Sequence, residues 1–160
     1  MAETKETNER PLGDKFMRDF SATLPAPVFD DPAFTTPPPL NKATVAIVTS
    51  AAIHTVADER FDGGDTGYRA IERAARDLVL GHWSPNFDRS GFAADVNVVY
   101  PIDRLEDLAT DGVIGSVAPR HFSFAGNQPD DVSTLRLDSG PAVAQELLSD
   151  GVDIVILTPV

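Results

Sequence analysis

No cysteine occurs in the 160 residues of this chain. That absence excludes a disulfide, a thiolate metal site and a thiol nucleophile from the polypeptide as it stands. Basic residues are scarce as well: 13 Lys and Arg stand against 25 Asp and Glu, for a formal charge of −12. Nucleic-acid binding and attachment to an anionic membrane surface both need clustered positive charge, so neither is expected. The opening stretch, MAETKETNERPLGDKF, lacks the apolar core of a secretion signal, and no apolar run reaches the length of a membrane span. A cytoplasmic location is the expectation. Phosphate-binding glycine patterns are missing too: there is no G-x-G-x-x-G, no G-K-[ST], and no G-x-S-x-G elbow for a serine nucleophile. Neither a nucleotide cofactor nor a serine triad is expected.

What is present suits one globular domain with a real core: 42% hydrophobic residues, of which few are aromatic. Residues 14–20 predict a short helix with Phe16, Met17 and Phe20 as its apolar stripe. Six of the 13 prolines fall in residues 21–40, and proline blocks helix and central strand alike. Residues 1–42 therefore read as an N-terminal arm, proline-rich and partly extended or disordered, with Phe29 and Phe34 as its anchors. Residues 43–160 make the compact domain.

Within it, residues 43–48 predict a buried strand that runs into small residues over 49–54. Short strands are expected over 68–71 and 77–82, and an extended segment over 96–100. Pro101 opens a helix over 101–109 with Ile102, Leu105 and Leu108 inward. The chain returns to the sheet over 113–117, and residues 121–124 alternate as a strand does. The last stretch, DSGPAVAQELLSDGVDIVILTPV, is the clearest. Ser139 is the expected helix cap, Pro141 belongs to the first turn, and Gly151 is the stop. The β-branched run over 152–157 predicts a strand interior to the sheet and buried on both faces. Helix, glycine and buried strand form half of a parallel unit. The expected fold is thus α/β, a mostly parallel sheet flanked by helices in a Rossmann-like three-layer arrangement. In such sheets ligands sit beyond the carboxyl ends of the strands, here at Thr158, Pro159 and Val160. A chain ending at a buried strand also suggests a domain incomplete at its C-terminus.

His54, His82 and His121 all fall near predicted strand ends. A histidine pKa suits acid–base work at neutral pH, and each equally suits a histidine tied to a backbone carbonyl. No H-x-E-x-H and no helical i,i+4 pair supports a metal site, so none is expected. Around Gly91, the residues Asp88, Arg89, Asp95 and Asn97 could orient a zwitterion, with Arg89 or Arg104 on its carboxylate. They could equally close a self-bonded turn. The catalytic candidates are His82, His121 and Asp88, expected near the carboxyl end of strand 154–157. The substrate-binding candidates are Thr49, His54, Arg104 and Thr158.

Two stretches carry a family likeness. One runs from Tyr100-Pro101-Ile102-Asp103-Arg104-Leu105 through Gly112-Val113-Ile114-Gly115 to Phe124-Ala125-Gly126-Asn127, and the other spans residues 142–160 with their GVDIVILTPV ending. With Val48-Thr49 and Gly64-Asp65-Thr66-Gly67-Tyr68-Arg69, they resemble the component B selenoprotein family of glycine, sarcosine and betaine reductases, to which the D-proline reductase selenoprotein is related. The resemblance covers roughly residues 43–160 and implies a reductase of a small amine or amino acid. Its chemistry would be reductive C–N cleavage through a selenolate, with dithiol redox proteins as partners and assembly into an oligomer. In that family the selenocysteine directly follows the motif that reads ILTPV here, so it is expected after Val160, and no other cofactor is implied. A nucleophile at a strand end leading into a helix would be held ionised by the helix N-terminus. Two other readings stay open on the residues alone. One is a non-catalytic small-ligand-binding or regulatory α/β module, the other a metal-assisted hydrolase using His54, His82 and His121.

Overall fold

A computed structural model describes residues 14–23, 34–83, 89–128 and 131–160. The chain forms two compact units, Met1–Thr35 and Thr36–Val160. In the first, helix α1 (Asp14–Ser21) stacks Phe16 on Phe20 and pairs Lys15 with Asp19 one turn on. Phe29, one of the two anchors expected of the arm, lies outside the described residues.

The second unit is built on β1 (Thr44–Thr49), whose alternation sends Val45 and Ile47 to one core and Ala46 and Val48 to another. One edge of β1 pairs in parallel with β5 (Ser116–Val117) and then with β6 (Arg120–Phe124). These two strands occupy successive halves of that edge because Pro119, between them, has no N–H for the ladder. The other edge of β1 pairs in parallel with β7 (Ile154–Thr158) over five residues. Asp153 sets that register, since its carboxylate accepts the N–H of Thr44 while its own N–H bonds the Thr44 carbonyl.

Helix α3 (Ile102–Thr110) covers the Val45–Ile47 face with Ile102 and Leu105, and Asn97 accepts the otherwise free N–H of Asp103 at its start. Helix α4 (Gly140–Ser149) covers the opposite face with Val143 and Leu147. Arg120 of β6 ties that helix down through Glu146 and Asp150.

The α/β class and the helices on both faces are as expected, but the sheet is mixed rather than mostly parallel. Strand β3 (Tyr68–Glu72) runs antiparallel to β6, and β2 (Ile53–Thr55) with β4 (Leu78–Leu80) forms a separate antiparallel pair. The helix α2 (Arg89–Ala94) stands where the residues around Gly91 were read as a substrate-orienting cluster or a self-bonded turn. Ser139 is no cap. Helical backbone begins at Ser133, whose N–H bonds Asp131, and passes through a wide turn over Leu135–Ser139 before α4. Pro141 explains the widening, because an interior proline has no N–H and its ring collides with the carbonyl four residues back. Gly140 permits it, since a Cβ there would lie 2.4 Å from the Leu135 carbonyl oxygen.

Strand β7 departs most from expectation. Among the described strands its one neighbour is β1, so it forms an edge. Ile154 and Ile156 pack into the core beside α3, whereas Val155 and Leu157 are 37% and 72% exposed. The reason is placement: α4 is centred over Ala46 and Phe122 and does not reach across β7.

Candidate functional site at the carboxyl ends of the strands

The carboxyl ends of β1 and β7 are joined by a short net of hydrogen bonds. The Thr158 carbonyl accepts from the Ser50 N–H at 3.2 Å and from the Thr49 hydroxyl at 3.4 Å. Thr158 donates its own hydroxyl to the Val99 carbonyl at 3.0 Å, and Ser50 Oγ accepts the N–H of Val160 at 2.8 Å. Both threonine candidates therefore have their single hydroxyl proton committed to carbonyls of the chain, which fixes where the strand ends point. Ser50 had no distinguishing signal in the sequence beyond its small size.

His82 reaches the same place. Its buried ring is hydrogen-bonded to the backbone of Val160. Burial lowers its pKa first, the Val160 bond opposes that, and the Arg89 guanidinium lowers it further. Gly126 makes the approach possible. A Cβ on it would lie 2.3 Å from His82 Nε2 and 2.7 Å from the Ser50 carbonyl oxygen. The glycine of the Phe124-Ala125-Gly126-Asn127 motif is thus a spacer for the histidine.

Beside His82 opens a cleft of about 370 Å³, lined by His54, Arg60, Phe61, Gly81, His82, Trp83 and Arg89 among others. One wall is the loop before β3. Asp65 accepts the Gly67 N–H and pairs with Arg69, and Arg69 in turn donates to the carbonyls of Glu59 and Arg60 and lies over the Phe61 ring. The Gly64–Arg69 motif therefore pins the loop that carries Arg60 and Phe61. Trp83 adds a bond from its indole N–H to the Phe61 carbonyl. His54 is 2% exposed with Nδ1 3.2 Å from the Ala52 carbonyl, and Ala52 itself has φ +54°, a left-handed conformation that alanine adopts at a cost.

His121 sits elsewhere. At the Pro119 break the N–H of Ile47 has no strand carbonyl opposite it, and His121 Nδ1 accepts it at 3.0 Å. The ring is fully buried edge-to-face against Tyr100, and Nε2 has no hydrogen-bond partner among the described residues. Burial pushes its pKa down to about 4, with Arg73 adding to the effect and Glu106 opposing it. Tyr100, equally buried, is raised above its usual value for the same reason.

Arg104 is exposed on α3 and pairs with Asp107 at 3.2 Å. Asp95 and Asn97 bond each other and, through Asn97, Asp103, as a self-closed turn does. Asp88 lies outside the described residues. The structure thus brings His82, His54, Thr49 and Thr158 to one end of the sheet and puts His121 and Arg104 at other places. Among the described residues no three His, Cys, Asp or Glu side chains gather as a metal site would require, so the histidine trio of the hydrolase reading is not assembled. No described helix is long and apolar enough to cross a membrane.

Comparison with known proteins places this chain in a lineage. Residues 14–160 match the family description of the glycine/sarcosine/betaine reductase selenoprotein B. Among curated relatives, the D-proline reductase subunit gamma of Acetoanaerobium sticklandii is 35% identical over 134 residues, 77% of this chain and 54% of that protein. The sarcosine reductase complex component B subunit beta of Peptoclostridium acidaminophilum is 32% identical over 155 residues, 91% of this chain and 34% of its own length. A glycine reductase complex component B subunit gamma from Carboxydothermus hydrogenoformans is 27% identical over 154 residues, 88% of this chain and 33% of the relative. No solved structure matches. The chain spans between about a third and about half the length of these relatives. It belongs to the glycine/sarcosine/betaine reductase selenoprotein B family.

Proposed function

We propose that this chain is part of a component-B-type subunit in a multi-component reductase that cleaves the C–N bond of a small amine or amino acid. Glycine, sarcosine, betaine and D-proline are the substrates named for its relatives. The observation that carries the reading is the meeting of His82, Ser50 and the Val160 backbone at the sheet's carboxyl end, beside a cleft of small-molecule size. A selenolate following Val160 would start from that point. It would attack the carbon bearing the nitrogen, forming a C–Se bond as the C–N bond breaks and the amine leaves. A dithiol protein would then supply two electrons, becoming a disulfide as the reduced carbon product is released.

In that scheme Thr49, Thr158 and Ser50 aim the strand end, and His82 moves a proton. Its lowered pKa keeps the ring neutral at pH 7, where it can take the proton of a selenol or pass one to the departing amine. The coding frame past codon 160 tests the selenolate. An in-frame UGA followed by further coding sequence is expected, and a UAA or UAG there would remove this mechanism. Reconstitution supplies the second readout: the full reading frame should support dithiol-dependent release of amine from one of the four substrates.

A further inference from the structure

We propose that the cleft beside His82 is a carboxylate-binding site in which Arg60 and Arg89 hold the acid group of the substrate. The inference deepens the reductase reading and rests on it for the choice of ligands to test.

Charge is the first argument. In a chain with nearly twice as many acidic as basic residues, the described lining of this cleft holds two arginines and two histidines and no carboxylate. Partner choice is the second. Arg69, Arg73, Arg76, Arg104 and Arg120 each pair with an Asp or Glu. Arg60 and Arg89 pair with no acidic side chain among the described residues. Both are already positioned. Arg89 donates to the His82 carbonyl at 2.6 Å, which sets the direction of its fork and leaves other N–H groups for a ligand. The backbone at Arg60 is held on both sides, by Arg69 on the Arg60 carbonyl and by Trp83 on the Phe61 carbonyl. A loop ordered in advance loses less freedom when it binds.

Carboxylate fits better than phosphate. Guanidinium forks match a planar carboxylate two-on-two, whereas the cleft has no glycine-rich loop of converging backbone N–H groups of the phosphate-cradling kind. The volume of about 370 Å³ suits a small amino acid. Held there, the acid group would leave the rest of the molecule against His82 and the end of β7.

The chain's single tryptophan, Trp83, is 55% exposed in the cleft wall, so its emission reports occupancy. Titration with D-proline, sarcosine, D-prolinamide, sarcosinamide and inorganic phosphate tests the proposal. At least one free acid should change the Trp83 emission saturably, while its amide should not. Loss of a charge-assisted hydrogen bond should weaken that acid roughly tenfold in Arg60→Gln and in Arg89→Gln, with melting temperature unchanged. Arg104→Gln should bind within about twofold of the parent. Amides binding as well as acids, phosphate binding more tightly than either acid, both cleft variants binding like the parent, or no acid titrating would each overturn the site. The two readings fail separately. If no acid titrates but the frame continues through UGA, the carboxylate site falls and the reductase stands. If acids titrate in an Arg60-dependent way but the frame closes, the site stands and the selenolate falls.

Discussion

His121 and His82 differ in one respect that decides their roles. Both are buried, and burial lowers the pKa of each. His121 completes a β-ladder, its Nδ1 standing in for the carbonyl that the Pro119 break withholds from Ile47. His82 instead faces the backbone of Val160 and a cleft open to solvent. A perturbed histidine therefore identifies a site only when its partners are groups that a ligand can join or replace. In His121 the perturbation is a folding cost, and in His82 it belongs to the site proposed above for the reaction.

The largest effect should come from His121→Ala, which leaves the Ile47 N–H unpaired in the core and opens a cavity. Urea melts should show a loss of about 3 kcal/mol or more. If that variant melts like the parent, the ladder role is wrong. His121→Asn should recover much of the loss, because its Oδ1 can accept the same N–H.

The pH profile sharpens the contrast next. The folded pKa of His121, about 4, lies below its ordinary value of 6.5. Between those values the unfolded chain binds a proton that the folded chain refuses. This contribution is complete above pH 6.5, falls as the pH drops from 6.5 towards 4, and is flat below. The total is about 3 kcal/mol. Chemical denaturation at pH 7.5, 5.5 and 4.5 should show this slope in the parent and its loss in His121→Asn. An unchanged slope would show that other groups account for the acid sensitivity.

Gly126→Ala should cost about 1–3 kcal/mol from overpacking and displace the His82 ring from the strand end. The imidazole resonances of His82 should then move in an NMR titration while those of His121 stay. Smallest of all in stability should be His82→Ala, within about 1 kcal/mol of the parent, despite a marked loss of ligand response in the Trp83 emission. A large stability loss there would make His82 a second structural histidine and erase the distinction.

Much of this molecule was legible in the order of its residues. The helix over 102–110, the strand over 44–49 and the final helix and strand all appear where periodicity and stop signals put them. His82 and Thr158 were singled out from their places beside predicted strands. Arg60 was not, because its importance comes from the Asp65–Arg69 pair that turns its loop toward the cleft, a contact between side chains rather than a motif of its own. Ser50 and Gly126 matter through what approaches them in space. The helix α2 was missed because the polar residues around Gly91 also spell a turn.

The sequence by itself determined the α/β class, the places of its main helices and strands, the lack of a thiol in this chain and the family. Local preference and side-chain period act over a few neighbouring residues, so they can be read one segment at a time. Only the tertiary structure decided that β7 has β1 as its one neighbour among the described strands with Leu157 exposed, that Pro119 splits the strand beside β1, and that His121 fills the gap while His82 meets Val160. Those outcomes depend on which faces the helices happen to cover and on bonds between residues as many as 110 apart in the chain, and no local pattern encodes either.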